Sequence, residues 1–169
     1  MHRELPTTID INKDLIRNIE AAMKAALIYE KSTGGKRKLG ITGEVGEVIV
    51  VHSLKEQLGL KLVADPRSQG FDAIDKSNKY VQIKTRRSES GGEPKLIGRM
   101  SRFSKHPFDY ALLAFLGNDY KLRKVWKLSY HKLVPIIEKE QTERSGPRLK
   151  TFIEAAGKPI FDETNKEKV

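Results

Sequence analysis

Apolar residues recur at intervals of three and four from Ile11 to about Lys31, through Leu15, Ile16, Ile19, Ala22, Met23, Ala26 and Leu27. That spacing predicts an amphipathic helix, with Asp10 or Asn12 as alternative caps; residues 1–9 read as a loose lead-in. Ser32 to Lys38 then interrupts with two glycines and three adjacent cations. A second helix is predicted over Thr42–Gln57, with Thr42 as cap, an apolar stripe of Val45, Val48, Ile49, Val51 and Leu54, and Gly59 ending it. Leu60–Ala64 reads as a short strand and Asp65–Gly70 as a turn-rich link. Gly70–Asp75 and Tyr80–Thr85, separated by Lys76, Ser77, Asn78 and Lys79, carry a hairpin signal. Residues 86–108 are long enough to cross between parallel strands, with a short amphipathic helix expected over 95–105. Asp109–Leu116 is apolar throughout and reads as a strand buried on both faces. Lys121–Leu128 is its partner after a turn at Gly117-Asn118-Asp119. One helical turn over 129–133, a helix over 134–140 and a last one over 149–156 follow, and residues 163–169 read as frayed. These elements predict one α/β domain, a mixed central β-sheet flanked by helices.

Charge narrows the partners. With 32 Lys+Arg against 22 Asp+Glu, the formal charge is +10. That balance favours nucleic acid first and an anionic membrane surface second, with a merely basic soluble surface as the plain alternative. No cysteine is present, which excludes disulfides and thiolate zinc. No histidine pair has zinc spacing; His52 and His106 read as structural or phosphate-contacting. The longest wholly apolar run, Ala111–Leu116, falls far short of the ~20 residues of a membrane span, and the N-terminus has no hydrophobic signal core. A soluble intracellular, cytoplasmic chain with no membrane partner is expected.

The chemistry concentrates at the hairpin. Side chains alternate across a strand, so Gln82 and Lys84 share one face and Val81 and Ile83 take the other. With Asp72, an acid, an amide and a lysine can converge on one patch. Carboxylate and carbonyl oxygens suit a hard divalent cation; a lysine beside them suits developing phosphate charge or an attacking water. Glu44 and Glu47 lie three apart on the second helix and share a face. Glu44 reads equally well as a complement to the helix dipole, whereas Glu47 reads as functional. Asp72 as a turn residue, Gln82 and Lys84 as an ordinary solvent face, and Arg86 and Arg87 as edge guards are the plain alternatives. Tyr110, Phe115 and Trp126 read as core.

The order of a helix with acids, short strands bearing Asp72 and Gln82-Ile83-Lys84, a crossover and a buried strand resembles the PD-(D/E)XK nuclease superfamily. The glutamine resembles the variant of Mrr-like restriction endonucleases. The resemblance covers about residues 40–128, a restriction endonuclease-like core, with an N-terminal helix at about 11–31 and a helical segment at about 130–156 outside it. It implies Asp72, Gln82, Lys84 and Glu47 as catalytic residues. Asp72, Gln82, the Ile83 backbone and Glu47 would hold Mg²⁺, for which Mn²⁺ substitutes; Glu44 and Asp75 are secondary candidates, and Gly43 with Glu47 fills the helix motif. Arg86, Arg87, Arg99, Arg102 and Lys105, together with Lys36, Arg37 and Lys38 of the basic loop, are the expected contacts to a DNA backbone. Phe71 stands where the family has proline, and Gln82 replaces an acid. The implied activity is that of a Mg²⁺-dependent DNA endonuclease of restriction or repair type, a kind of enzyme commonly homodimeric because two strands must be cut. The alternatives are a non-catalytic or weakly catalytic nucleic-acid-binding module on the same fold, and a basic interaction domain whose hairpin is incidental.

Overall fold

A computed structural model describes residues 4–88 and 93–168. In chain order the elements are β1 (Thr8–Ile9), α1 (Lys13–Ser32), α2 (Thr42–Ser53), α3 (Lys55–Leu58), β2 (Lys61–Val63), α4 (Pro66–Gln69), β3 (Ala73–Ile74), β4 (Tyr80–Arg87), β5 (Tyr110–Leu116), β6 (Leu122–Ser129), α5 (Tyr130–Glu140), α6 (Leu149–Ala156) and β7 (Phe161–Asp162). The seven strands form one mixed sheet in sequence order. Only β4 and β5 run parallel; every other neighbouring pair is antiparallel. The chain is therefore α/β, and its long crossover is the one a parallel pair requires.

The centre of the sheet is β5, whose seven residues are all buried, as its unbroken apolar run requires. One face packs on α1 and α2, where Val45, Val48 and Val51 meet Val81, Ile83 and Leu112. The other packs on the crossover, α5 and α6, where Met100, Phe103, Leu133 and Phe152 meet Leu113, Phe115 and Trp126. α2 is rich in valine, which costs up to ~0.7 kcal/mol per residue in helix propensity. Burying each valine returns ~1.5–3 kcal/mol, so packing wins. Gly46 lets α2 approach β4: a Cβ there would lie 2.3 Å from Thr85 Oγ1 and 2.8 Å from Thr85 Cβ. The close approach puts the next residue, Glu47, beside the sheet.

Several expectations are corrected. Residues 8–9 are not lead-in but an edge strand, Thr8 opposite Val63 and Ile9 opposite Leu62. Asn12 caps α1 by accepting from Leu15 N at 2.9 Å. Thr42 does not cap α2; it is the first helical residue after Ile41, and no side-chain cap is present. The second helix breaks at Leu54 and resumes as α3, ending at Gly59 in the left-handed region (φ 61°). Residues 95–105 form no helix. Gly98 takes φ 93°, Met100 N donates to Pro147 O, and Gly146 and Leu149 donate to the Met100 and Gly98 carbonyls. Groups a helix would pair internally are held by the segment before α6. Residues 130–140 form one helix, with Pro135 on its exposed side, where solvent can satisfy the carbonyl that a proline leaves without a donor. Residues 163–168 form 3-10 turns instead of a frayed end. Of the crossover read over 86–108, residues 89–92 lie outside the described residues. Among the described residues no helix is long and apolar enough to cross a membrane.

Gly46→Ala is expected to destabilise the fold by ~1–3 kcal/mol through overpacking, and Thr85→Ala in the same chain should recover part of it. Gly43, with nothing within 4 Å of a built Cβ, is the control: Gly43→Ala should be neutral or stabilising. Urea midpoints for the four proteins check this; equal effects at Gly43 and Gly46 would contradict the packing argument.

Candidate active site

Asp72 sits at the point where β3 leaves β4. Its main chain is strand-like, with Val63 N donating to Asp72 O and Asp72 N to Val81 O, both at 2.9 Å. Two residues further along β4, at Ile83, the pairing is taken over by a side chain. Asp72 Oδ2 accepts from Ile83 N at 2.6 Å and from Gln82 Nε2 at 2.6 Å. An ionised carboxylate only accepts, so Gln82 presents its NH₂ to Asp72 and keeps its carbonyl oxygen for another partner. Asp72 Oδ1 has no hydrogen bond from any described residue.

Lys84, two residues on and on the same face as Gln82, donates through Nζ to Arg102 O at 2.8 Å, with the ammonium 5.1 Å from the Phe103 ring centroid. Burial pulls its pKa down, opposed by Asp72 and Glu47. Glu47 is half-buried; burial, then repulsion from Asp72 and Glu44, pushes its pKa up to about 8, against the attraction of Lys84. Asp72 is also raised, by burial, while the Ile83 N–H, Lys84 and Gln82 counteract it. These groups form one electrostatic cluster.

Asp72, Gln82 and Lys84 open on a cleft of about 360 Å³ whose walls carry Arg67, Arg102, Ser104 and His106. Its rim is clipped together where Ser104 Oγ donates to Gly70 O at 3.3 Å. His106 lies so close to Gly70 (φ 77°) that a Cβ there would be 2.4 Å away. Glu47 joins the cluster by charge from the helix side and does not line this cleft. Arg67 and Ser104 were not legible as cleft residues, since each lies in a segment of irregular pattern; the glycine at position 70 was the only local hint.

The remaining candidates divide. Asp75 is committed elsewhere: Oδ1 accepts from Ser77 N and Lys79 N, and Oδ2 from the Tyr110 hydroxyl at 3.1 Å. It anchors the turn. Glu44 is exposed in the first turn of α2 and reaches the cluster only through its charge. Arg87 faces the opposite side of the sheet from Lys84: its guanidinium makes a two-point pair with Glu30 of α1 (2.5 and 2.9 Å), bonds Asn118 O and stacks 3.9 Å from the Tyr120 centroid. Those bonds make it a structural lock and leave it no free donor face for a phosphate. Arg99 is likewise committed, to the Glu140 and Gly146 carbonyls. Arg86 bonds the Arg99 and Ile97 carbonyls while still bordering a groove shared with Lys38. Lys36, Arg37, Lys38, Arg102 and Lys105 are exposed.

Among the described residues no three of His, Cys, Asp and Glu stand close enough to form a metal-binding group. Magnesium, however, is commonly held by one or two carboxylates, with waters and substrate phosphate completing the shell. The free Oδ1 of Asp72, the Gln82 carbonyl and the Glu47 carboxylate are hard oxygen donors of that kind, and the mutual repulsion of the acids is what a cation would relieve. The donor set fits.

No protein-family model matches the chain, and no curated protein matches it. What is defined is a class, an α/β domain with a mixed seven-stranded sheet and an acid–amide–lysine cleft on one of its faces.

The raised pKa of Glu47 makes stability depend on pH. Between about 4.5 and about 8 the folded chain binds a proton there that the unfolded chain has lost, so stability falls as pH rises through that window. With EDTA present, the denaturation midpoint is expected to drop from pH 5.5 to pH 8, and Glu47→Gln to flatten the drop. A Glu47→Gln profile parallel to wild type would contradict the assignment.

Proposed function

We propose that this chain is a metal-dependent endonuclease that hydrolyses phosphodiester bonds in DNA, built on a restriction endonuclease-like core over about residues 40–128. The observation that carries the reading is the convergence of Asp72, Gln82 and Lys84 on one cleft with cationic walls. The net charge of +10 supports a polyanionic partner. Cutting both strands calls for two sites, and a homodimer would supply them.

Asp72, the Gln82 carbonyl, the Ile83 carbonyl and Glu47 would hold Mg²⁺ or Mn²⁺; when bound, such an ion lowers the pKa of a water and neutralises phosphate charge. Asp72 lines the cleft and keeps Oδ1 clear of hydrogen bonds from the described residues, while Oδ2 is fixed by Ile83 and Gln82. Glu47, whose pKa is raised by burial and by the neighbouring acids, would have to give up its proton to serve as a ligand. Lys84, held between the acids and Arg102 O, orients the attacking water or meets the charge that develops on the phosphate. Arg102 and Lys105, with Arg86 and the 36–38 loop further out, meet the backbone, which gives affinity without sequence information.

The second reading is a nucleic-acid-binding module with weak or no catalysis. It is favoured by neutral Gln82, which leaves the cation one charge short. Incubation of plasmid and of duplex, branched and single-stranded DNA with Mg²⁺, Mn²⁺ or EDTA separates the two. Cleavage with either metal and none with EDTA is the expected result; salt-sensitive binding without cleavage would leave only the binding module. Lys84→Ala should keep fold and DNA affinity and lose roughly 100-fold in cleavage, the scale of one transition-state stabiliser; unchanged rates would remove Lys84 from the mechanism. Gln82→Glu should bind Mn²⁺ at least as tightly by calorimetry, and weaker binding would show that residue 82 is not a ligand.

A further inference from the structure

One side-chain amide of the segment after the nuclease-like core grips the stretch beside the site. Gln141, which ends α5, uses both ends of its side chain on Phe103: Phe103 N donates to Gln141 Oε1 at 3.0 Å, and Gln141 Nε2 donates to Phe103 O at 3.3 Å. A neighbouring strand would make the same two bonds with its backbone. Phe103 is 2% exposed. The carbonyl just before it, Arg102 O, receives Lys84 Nζ at 2.8 Å, and the Phe103 ring lies under the same ammonium. Apart from the attraction of Asp72 and Glu47, the hydrogen-bond acceptor and the ring that meet the Lys84 head both belong to the short stretch that Gln141 grips. That stretch lies in the crossover, and residues 101–106 belong to no strand or helix of their own. Two further ties lead to the same place: Arg102 Nη1 donates to Glu143 O at 2.8 Å, and Arg99 Nη1, just before the stretch, to Glu140 O; Ser104 Oγ ties the far end to Gly70 O.

We propose that Gln141 is a positioning residue for Lys84, acting through the Arg102–Phe103 peptide, so that the C-terminal helical segment completes a site otherwise built from the hairpin. This rests on the role given to Lys84 above and adds the device that aims it. A lysine side chain is long and flexible, and a displacement of about 1 Å at a reacting centre can cost on the order of 10²-fold in rate. The amide clip holds that error down.

The test reads the lysine directly. In the full chain the Cε methylene protons of Lys84, assigned by their loss in Lys84→Ala, should be shifted upfield by the Phe103 ring. Gln141→Met keeps the length and removes both bonds. The upfield shift should then collapse toward the free-lysine value, and kcat for DNA cleavage should fall about 10-fold or more with KM changed less than about two-fold. A folded Gln141→Met chain with the Lys84 shift unmoved overturns the proposal. Should that variant fail to fold, amide exchange in the unaltered chain decides. The Phe103 amide should exchange far more slowly than that of Ser104, and equal rates overturn the clip. A collapsed shift in a chain that cleaves no DNA keeps the positioning and removes the nuclease reading; normal cleavage with an unmoved shift does the reverse.

Discussion

The structure around the site depends on one carboxylate standing in for a strand. β3 is only two residues long, and where it departs, β4 is left with a main-chain donor at Ile83 that no carbonyl meets. An unmet buried N–H costs ~1–3 kcal/mol. Asp72 Oδ2 meets it and takes the Gln82 amide as well. The same bonds that spare the sheet an orphan donor leave the acid's second oxygen uncommitted and set the Gln82 amide nitrogen, not its carbonyl, against the acid. Fold and candidate site share an interaction, placed at the gap between two strands.

Charge is distributed to match. Glu47 comes in from α2 because Gly46 lets that helix settle against Thr85, and burial with two neighbouring acids pushes its pKa up to about 8. Lys84 offsets part of that repulsion from the other side. Cation binding and deprotonation are linked, so the proposed cation site would draw on an acid whose pKa lies close to neutral pH. On the face covered by α1 and α2, Glu30 and Arg87 form the pair that ties α1 to the end of β4. Side chains two residues apart on a strand share a face while neighbours oppose, so Arg86 and Arg87 have separate roles although they are adjacent and alike.

The strongly periodic parts were legible in the sequence. β5 was plain because a run from Tyr110 to Leu116 can only be buried on both sides, and α1 and α6 followed from their apolar spacing. The parallel relation of β4 and β5 followed from the length of the crossover. Asp72, Gln82 and Lys84 were legible as a group because alternation places them on one side of a hairpin. What escaped detection has no local pattern. β1 and β7 are two residues each, too short for a period. Residues 95–105 have helical spacing, yet their backbone is claimed by Pro147, Gly146 and Leu149, a long-range competition that spacing does not report. The locking of Arg87 by Glu30 and the clip of Gln141 on Phe103 join positions 57 and 38 residues apart, and a charge or an amide alone names no partner. Asp75 had the residue type of a ligand and the environment of a turn.

Paramagnetic Mn²⁺ tests the central claim most directly. Added below one equivalent to ¹⁵N-labelled protein, it should broaden the amides of Asp72, Ile83 and Glu47 first, leaving Asp119 and Glu163, the acids paired with Arg123, sharp. Broadening centred on Asp119 and Glu163, or uniform over the chain, would contradict a cation site at the junction of β3 and β4.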